Sequence, residues 1–91
     1  MSKKLPLTIR ATNGTPWVTD DFGANQRVDH VRQAATRHFV KDGVMADGDY
    51  LLALIVDGQA QELIDAQTLA EAEVTDSAVL ALMVRGPQVD G

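Results

Sequence analysis

The residue types that could carry chemistry are few and widely spaced in this sequence. His30 and His38 lie eight residues apart, about two turns along a helix, which is too far for both to bind one metal ion. Asp42, Asp47 and Asp49 lack the spacing of a calcium-binding EF-hand loop. The chain has no cysteine, which excludes thiolate metal sites, a cysteine nucleophile and disulfides. The sequence therefore predicts a protein that is not an enzyme, with no catalytic residue, no metal site and no cofactor.

The charge balance and the apolar content narrow the partners that this chain can have. Its 91 residues carry 13 acidic and 8 basic side chains, a net charge of −5 at pH 7. Nucleic acids and anionic membrane surfaces both require a basic face, so neither is expected as a partner. The longest apolar run, Tyr50–Val56, is far shorter than the roughly 20 residues of a membrane-spanning helix. Without a secretory signal, we expect one small cytoplasmic domain.

Alternating and continuous apolar runs predict four or five strands. Leu5, Leu7 and Ile9 recur at every second position, as in a half-buried strand. Asn13 and Gly14 follow them and form a strong hairpin signal. The predicted strands cover residues 5–12, 15–21, 50–56 and 78–84, with a short edge strand over 59–64.

A helical period replaces the strand pattern between residues 26 and 42. Four apolar residues at spacings of three, four and four share one helix face: Val28, Val31, Ala35 and Phe39. Asn25 is the expected N-cap, and Gly43 is expected to end the helix in the left-handed conformation. The spacing of Thr68 and Glu71 predicts a capping box at a single helical turn. One main helix on one face of a mixed four- to five-stranded sheet is an α+β fold.

This order of elements resembles the β-grasp fold of ubiquitin, and the resemblance covers nearly the whole chain. Five segments carry it, namely residues 7–14, 28–32, 54–58, 67–80 and 84–86. The chain looks most like a stand-alone bacterial ubiquitin-like modifier, of the kind encoded beside activating and conjugating enzymes. The resemblance implies a ubiquitin-like β-grasp domain over residues 1–84 and a flexible C-terminal tail over 85–91.

The resemblance also implies a covalent role for the C-terminus. Ubiquitin-like modifiers are adenylated at a terminal glycine by an activating enzyme, carried as a thioester by a conjugating enzyme and joined to target proteins. Here that glycine is Gly91, and Arg85 and Gly86 match the tail that the activating enzyme reads; a processing protease is a further expected partner. The sequence departs from the usual Gly-Gly end, because Asp90 puts a negative charge beside the carboxylate. A sulfur carrier, which would also activate Gly91, is a less favoured alternative.

A docking patch on the open sheet face is the second site that the resemblance implies. If Leu52 and Leu54 face the helix, alternation places Ile55 outward, and we assign Leu80 and Leu82 of the last strand to the same patch. A shift of one residue would instead place both of these last-strand leucines in the core, so this alternative stays open. A protein that uses the patch alone would be a non-covalent adaptor, such as a secretion-system accessory or a subunit of an enzyme complex.

Overall fold

A computed structural model describes residues 4–85 of the chain. Within that range the chain forms five strands and one α-helix, which are β1 (Lys4–Arg10), β2 (Pro16–Gly23), α1 (Val28–Lys41), β3 (Tyr50–Val56), β4 (Gln59–Glu62) and β5 (Ala78–Val84). The predicted bounds of β3 and β5 are confirmed, and the other elements differ from their predicted bounds by at most about two residues. Apart from Arg85, the predicted tail lies outside the described residues.

The five strands form one mixed sheet in the order β2-β1-β5-β3-β4. β5 lies in the middle, parallel to β1 and antiparallel to β3, and the two outer pairs are antiparallel. α1 connects β2 to β3 and packs its apolar stripe against one face of this sheet: Val28, Val31, Ala35 and Phe39. The predicted α+β architecture, with one main helix on one face of a mixed sheet, is confirmed.

The N-terminus of α1 is stabilised by a neighbouring loop rather than by the predicted cap. The helix begins at Val28, and Arg27 before it makes no side-chain capping hydrogen bond. The N–H of Val28 donates instead to the carbonyl of Gln67 at 2.8 Å. Because the loop supplies this acceptor, that amide needs no polar side chain. The prediction of Asn25 as N-cap is therefore wrong.

A left-handed glycine ends α1, as the sequence predicts, and two left-handed residues connect β3 to β4. Gly43 has a φ of 76°, and the N–H of Val44 donates to the Phe39 carbonyl at 2.9 Å, which gives a Schellman-type helix end. Asp57 and Gly58 have φ values of 53° and 79°. Positive φ at both positions suits a two-residue hairpin loop, and this loop fixes the register of β4 against β3.

The core between α1 and the sheet contains both last-strand leucines that were assigned to the outward patch. Leu80 is 0% exposed and Leu82 is 1% exposed. Leu80 pairs with Ile9 of β1 and Leu54 of β3, and directly paired residues share a face of the sheet. The larger leucines therefore join the buried aliphatic layer under the helix. The prediction that Leu80 and Leu82 face outward is wrong, and the alternative register is the one observed.

The predicted capping box forms at Thr68 and Glu71. The Thr68 N–H donates to the Glu71 carboxylate at 2.9 Å, and the Glu71 N–H donates to the Thr68 hydroxyl oxygen at 3.1 Å. The N–H of Ala72 closes one helical turn on the Thr68 carbonyl at 3.0 Å. Leu69, inside this turn, is fully buried. The turn therefore brings a leucine into the hydrophobic core.

Candidate protein-interaction surface

The strand register gives the composition of the sheet face opposite α1. One residue from each strand forms a row across this face, in sheet order Val18, Thr8, Val79, Ile55 and Ala60. Cβ atoms of directly opposite residues in such a row lie about 5 Å apart. Four of the five side chains are apolar, and Val18 is 74% exposed. The face therefore presents a mostly apolar row across the sheet, interrupted only by Thr8 of β1.

A second row and a third pair complete this face. The second row runs through Pro16, Arg10, Ala81, Ala53 and Glu62. Beyond the second row, Leu51 of β3 pairs with Met83 of β5. Met83 is 42% exposed. Four residues of β3 and β5 in the middle of the face are named the outer patch: Ile55, Val79, Ala81 and Met83.

Only one of the three predicted patch residues, Ile55, lies on this face. Its side chain is partly exposed, and it pairs with Val79 of β5. Val79 and Met83 were missed because the alternation of β5 was assigned in the opposite phase. The signal that could have found them is side-chain size, since a core strand favours leucine over valine and alanine at its buried positions.

Opposite charges lie at the two sides of the outer patch. Arg10 is exposed beside Ala81, and within residues 4–85 its guanidinium forms no ion pair. Glu62 lies at the other end of the same row, on the edge strand β4. The patch is therefore an apolar centre with one free cation on the β1 side.

Arg85, the predicted tail-recognition residue, is attached to the body of the domain. The backbone N–H of Arg85 donates to the Asp49 carbonyl at 3.2 Å. Its guanidinium lies 3.4 Å from the Asp49 carboxylate and 3.9 Å from the Glu62 carboxylate. An enzyme that reads this side chain must therefore displace two carboxylates. Gly86 and Gly91 lie outside the described residues.

The two histidines contribute to packing between β2 and α1. The His38 ring stacks on Trp17 at 3.9 Å between centroids, and its Nε2 lies 3.5 Å from the Asp42 carboxylate. The His30 and Phe22 rings form a T-shaped pair with 6.4 Å between their centroids. Within residues 4–85, no group of three or more candidate ligands could hold a metal ion. No helix in the same range is long and apolar enough to cross a membrane.

Solved structures that share this architecture are ubiquitin-like. The chain is similar to a de novo designed protein based on ubiquitin, with a TM-score of 0.65 and 22% identity over 98% of each chain. It is also similar to the C-terminal ubiquitin-like domain of mouse tubulin-specific chaperone e, with a TM-score of 0.74 and 21% identity over 98% of this chain and 94% of that one. No model of a protein family and no curated protein matches the sequence. The chain has a ubiquitin-like β-grasp fold, which confirms the fold that the sequence resemblance implied.

Proposed function

We propose that this chain is a ubiquitin-like protein-binding module that docks a partner on its outer patch. The observation that carries the proposal is the row across the sheet in which four of the five side chains are apolar, with the exposed Met83 close to it. Contiguous exposed apolar surface on a domain usually marks an interaction site. The fold also occurs as a domain of tubulin-specific chaperone e, which supports a role without conjugation.

The size of the face favours a reversible contact. Five strands give four interstrand spacings of about 4.8 Å, and a seven-residue strand is about 23 Å long, so the flat face measures about 440 Å² in projection. Stable complexes bury about 800 Å² per partner. We therefore expect a weak partner complex unless loops around the face also take part.

Site-specific photo-crosslinking in the cells that make the protein tests the docking proposal. A benzophenone amino acid at Met83 should give one defined crosslinked product, whereas the same group at the exposed Asn25, before α1, should not. Val79→Asp should abolish that product. Val84→Asp is the matched control, because Val84 is 62% exposed on the same strand and faces the other side of the sheet. Equal crosslinking at Met83 and Asn25 would contradict the proposal.

As a second candidate, we propose covalent modification of target proteins through Gly91, in a bacterial pathway that resembles ubiquitination. In the first step the Gly91 carboxylate would attack the α-phosphate of ATP and release pyrophosphate. An enzyme thiolate would then displace AMP to form a thioester, and a target amine would displace the thiol. Arg85 lies directly after β5 with 40% of its side chain exposed, which supports this candidate provided that the activating enzyme displaces Asp49 and Glu62 from it.

Incubation with the activating enzyme and ATP tests the covalent candidate. The expected result is a thiol-sensitive adduct that disappears when Gly91 is deleted, and an adduct that survives the deletion would rule out this chemistry. Removal of residues 86–91 separates the two functions. It should end conjugation and leave the Met83 crosslink unchanged if the outer patch acts alone.

A further inference from the structure

We propose that a groove beside α1 binds a short acidic segment of a partner protein through Arg37. The groove has a volume of about 300 Å³ and lies between one side of the helix and the loop that follows it. Its helix wall includes Gln33, Thr36, Arg37 and Val40, and its loop wall includes Asp47 and Gly48. None of these residues belongs to the outer patch, so the two sites are independent.

Both walls of the groove are held by contacts inside the domain. The Tyr50 hydroxyl donates to the Ala46 carbonyl, and a Cβ placed at Gly48 would lie 3.6 Å from the Tyr50 hydroxyl oxygen. On the helix side, the Arg32 guanidinium contacts both oxygens of the Asp65 carboxylate, at 3.2 and 3.3 Å. The loop wall and the Arg32 side chain are therefore each held in place by contacts within the domain.

Arg37 is the free cation of this groove. Arg32, the other arginine that lines it, is already paired with Asp65. Within residues 4–85, no carboxylate lies within 4 Å of the Arg37 guanidinium. An arginine offers two parallel N–H donors to a carboxylate, a stronger and more directional contact than a lysine gives.

The other groove residues define what else the ligand carries. Val40 provides an apolar contact for an aliphatic side chain, and Gln33 provides a second polar group on the helix wall. Asp47, on the opposite wall, is an acceptor for a peptide N–H. A run of phosphates is disfavoured relative to a single carboxylate, because Asp47 and the net charge of −5 would repel each of its several negative charges. The matching ligand is a peptide with one carboxylate next to one aliphatic residue.

The charge distribution along the chain supports an acidic partner on this side. Residues 27–41 contain four of the eight basic side chains and a single carboxylate. By contrast, residues 57–76 contain six carboxylates and no basic residue. Residues 27–41 therefore carry a net positive charge within an acidic protein, which favours an acidic peptide beside α1 at short range.

Titration of the ¹⁵N-labelled full chain with the blocked tetrapeptide acetyl-Gly-Glu-Leu-Gly-amide, followed by NMR, tests the proposal. The expected result is saturable shifts at the amides of Gln33, Arg37 and Gly48. The Gln-containing analogue of the peptide should bind at least about fivefold more weakly, because a charge-assisted bond is lost. Arg37→Gln should weaken binding by a similar factor. Lys41→Gln is the matched control, since it removes the same charge from the same helix outside the groove, and it should change binding less than about twofold.

Three outcomes would overturn the proposal. Equal losses of peptide affinity in Arg37→Gln and Lys41→Gln would mean general attraction between charges rather than binding in the groove. Chemical-shift changes confined to the amides of Val79 and Met83 would place the peptide on the outer patch. Failure to saturate below about 10 mM peptide would mean no specific site.

Discussion

Val79 and Leu80 are adjacent aliphatic residues of β5 that face opposite sides of the sheet. Leu80 is fully buried beneath α1, whereas Val79 is partly exposed on the outer patch. Removing atoms from a filled core costs both the transfer of those atoms from water and the cavity that remains. The two positions should therefore differ sharply in their tolerance of truncation.

We predict that Leu80→Ala lowers the free energy of unfolding by about 3 kcal/mol, whereas Val79→Ala lowers it by less than about 1 kcal/mol. Urea denaturation followed by circular dichroism measures both values. Comparable losses in the two variants would contradict the observed register of β5.

The alternation of polar and apolar residues could predict the bounds of β5 but not which of its faces is buried, so side-chain size was the only local signal for the buried face. Its seven residues are all apolar, so neither alternate set is marked by polar side chains. The phase is decided by neighbouring strands, because Leu80 continues the buried layer of Ile9 and Leu54. The same holds for the α1 groove, whose walls come from a helix and a loop that no local pattern brings together.

At the scale of elements, backbone hydrogen bonds connect the turn around Thr68 to the start of α1. Beyond the Val28 contact with Gln67, the N–H of Leu69 donates to the Gln26 carbonyl at 2.8 Å. The helix start and the capping turn therefore stabilise one another, and weakening the turn should affect the whole domain.

We predict that Thr68→Ala lowers the free energy of unfolding by about 1 kcal/mol, because the Glu71 N–H loses its acceptor. Thr75→Ala is a suitable control, since Thr75 is exposed and its side chain makes no hydrogen bond to another described residue. Thermal unfolding compares the two variants. If Thr75→Ala destabilises the protein as much, the capping box is not the cause.

The β3–β4 hairpin gives a second prediction at this scale. Gly58→Ala should lower the free energy of unfolding by about 1 kcal/mol, because its φ of 79° strains a residue with a Cβ. Gly48→Ala should not destabilise the protein, because the added Cβ would meet only ordinary contacts with the Tyr50 ring. Urea unfolding of both variants measures the difference, and a larger loss at Gly48 would contradict this assignment.

For the molecule as a whole, the ion pair between Arg32 and Asp65 links the basic helix to the acidic region 57–76. Arg32 is mostly buried, whereas Asp65 is partly exposed and therefore screened by salt. A double-mutant cycle with Arg32→Gln and Asp65→Asn should give a coupling free energy of about 1 kcal/mol that falls at high salt. The pair between Arg27 and Asp29, whose arginine is more exposed, should give less than about 0.5 kcal/mol. Equal coupling free energies in the two cycles would contradict a stabilising role for the ion pair between Arg32 and Asp65.

The central position of β5 has a consequence for synthesis of the protein. In the strand order β2-β1-β5-β3-β4, only β5 joins the hairpin of β1 and β2 to the hairpin of β3 and β4. A nascent chain interrupted before Ala78 therefore has two separate hairpins with open edges, and such edges invite aggregation or proteolysis. Only chains translated through β5 can complete the sheet, so the fold itself distinguishes chains that contain this strand from chains truncated before it.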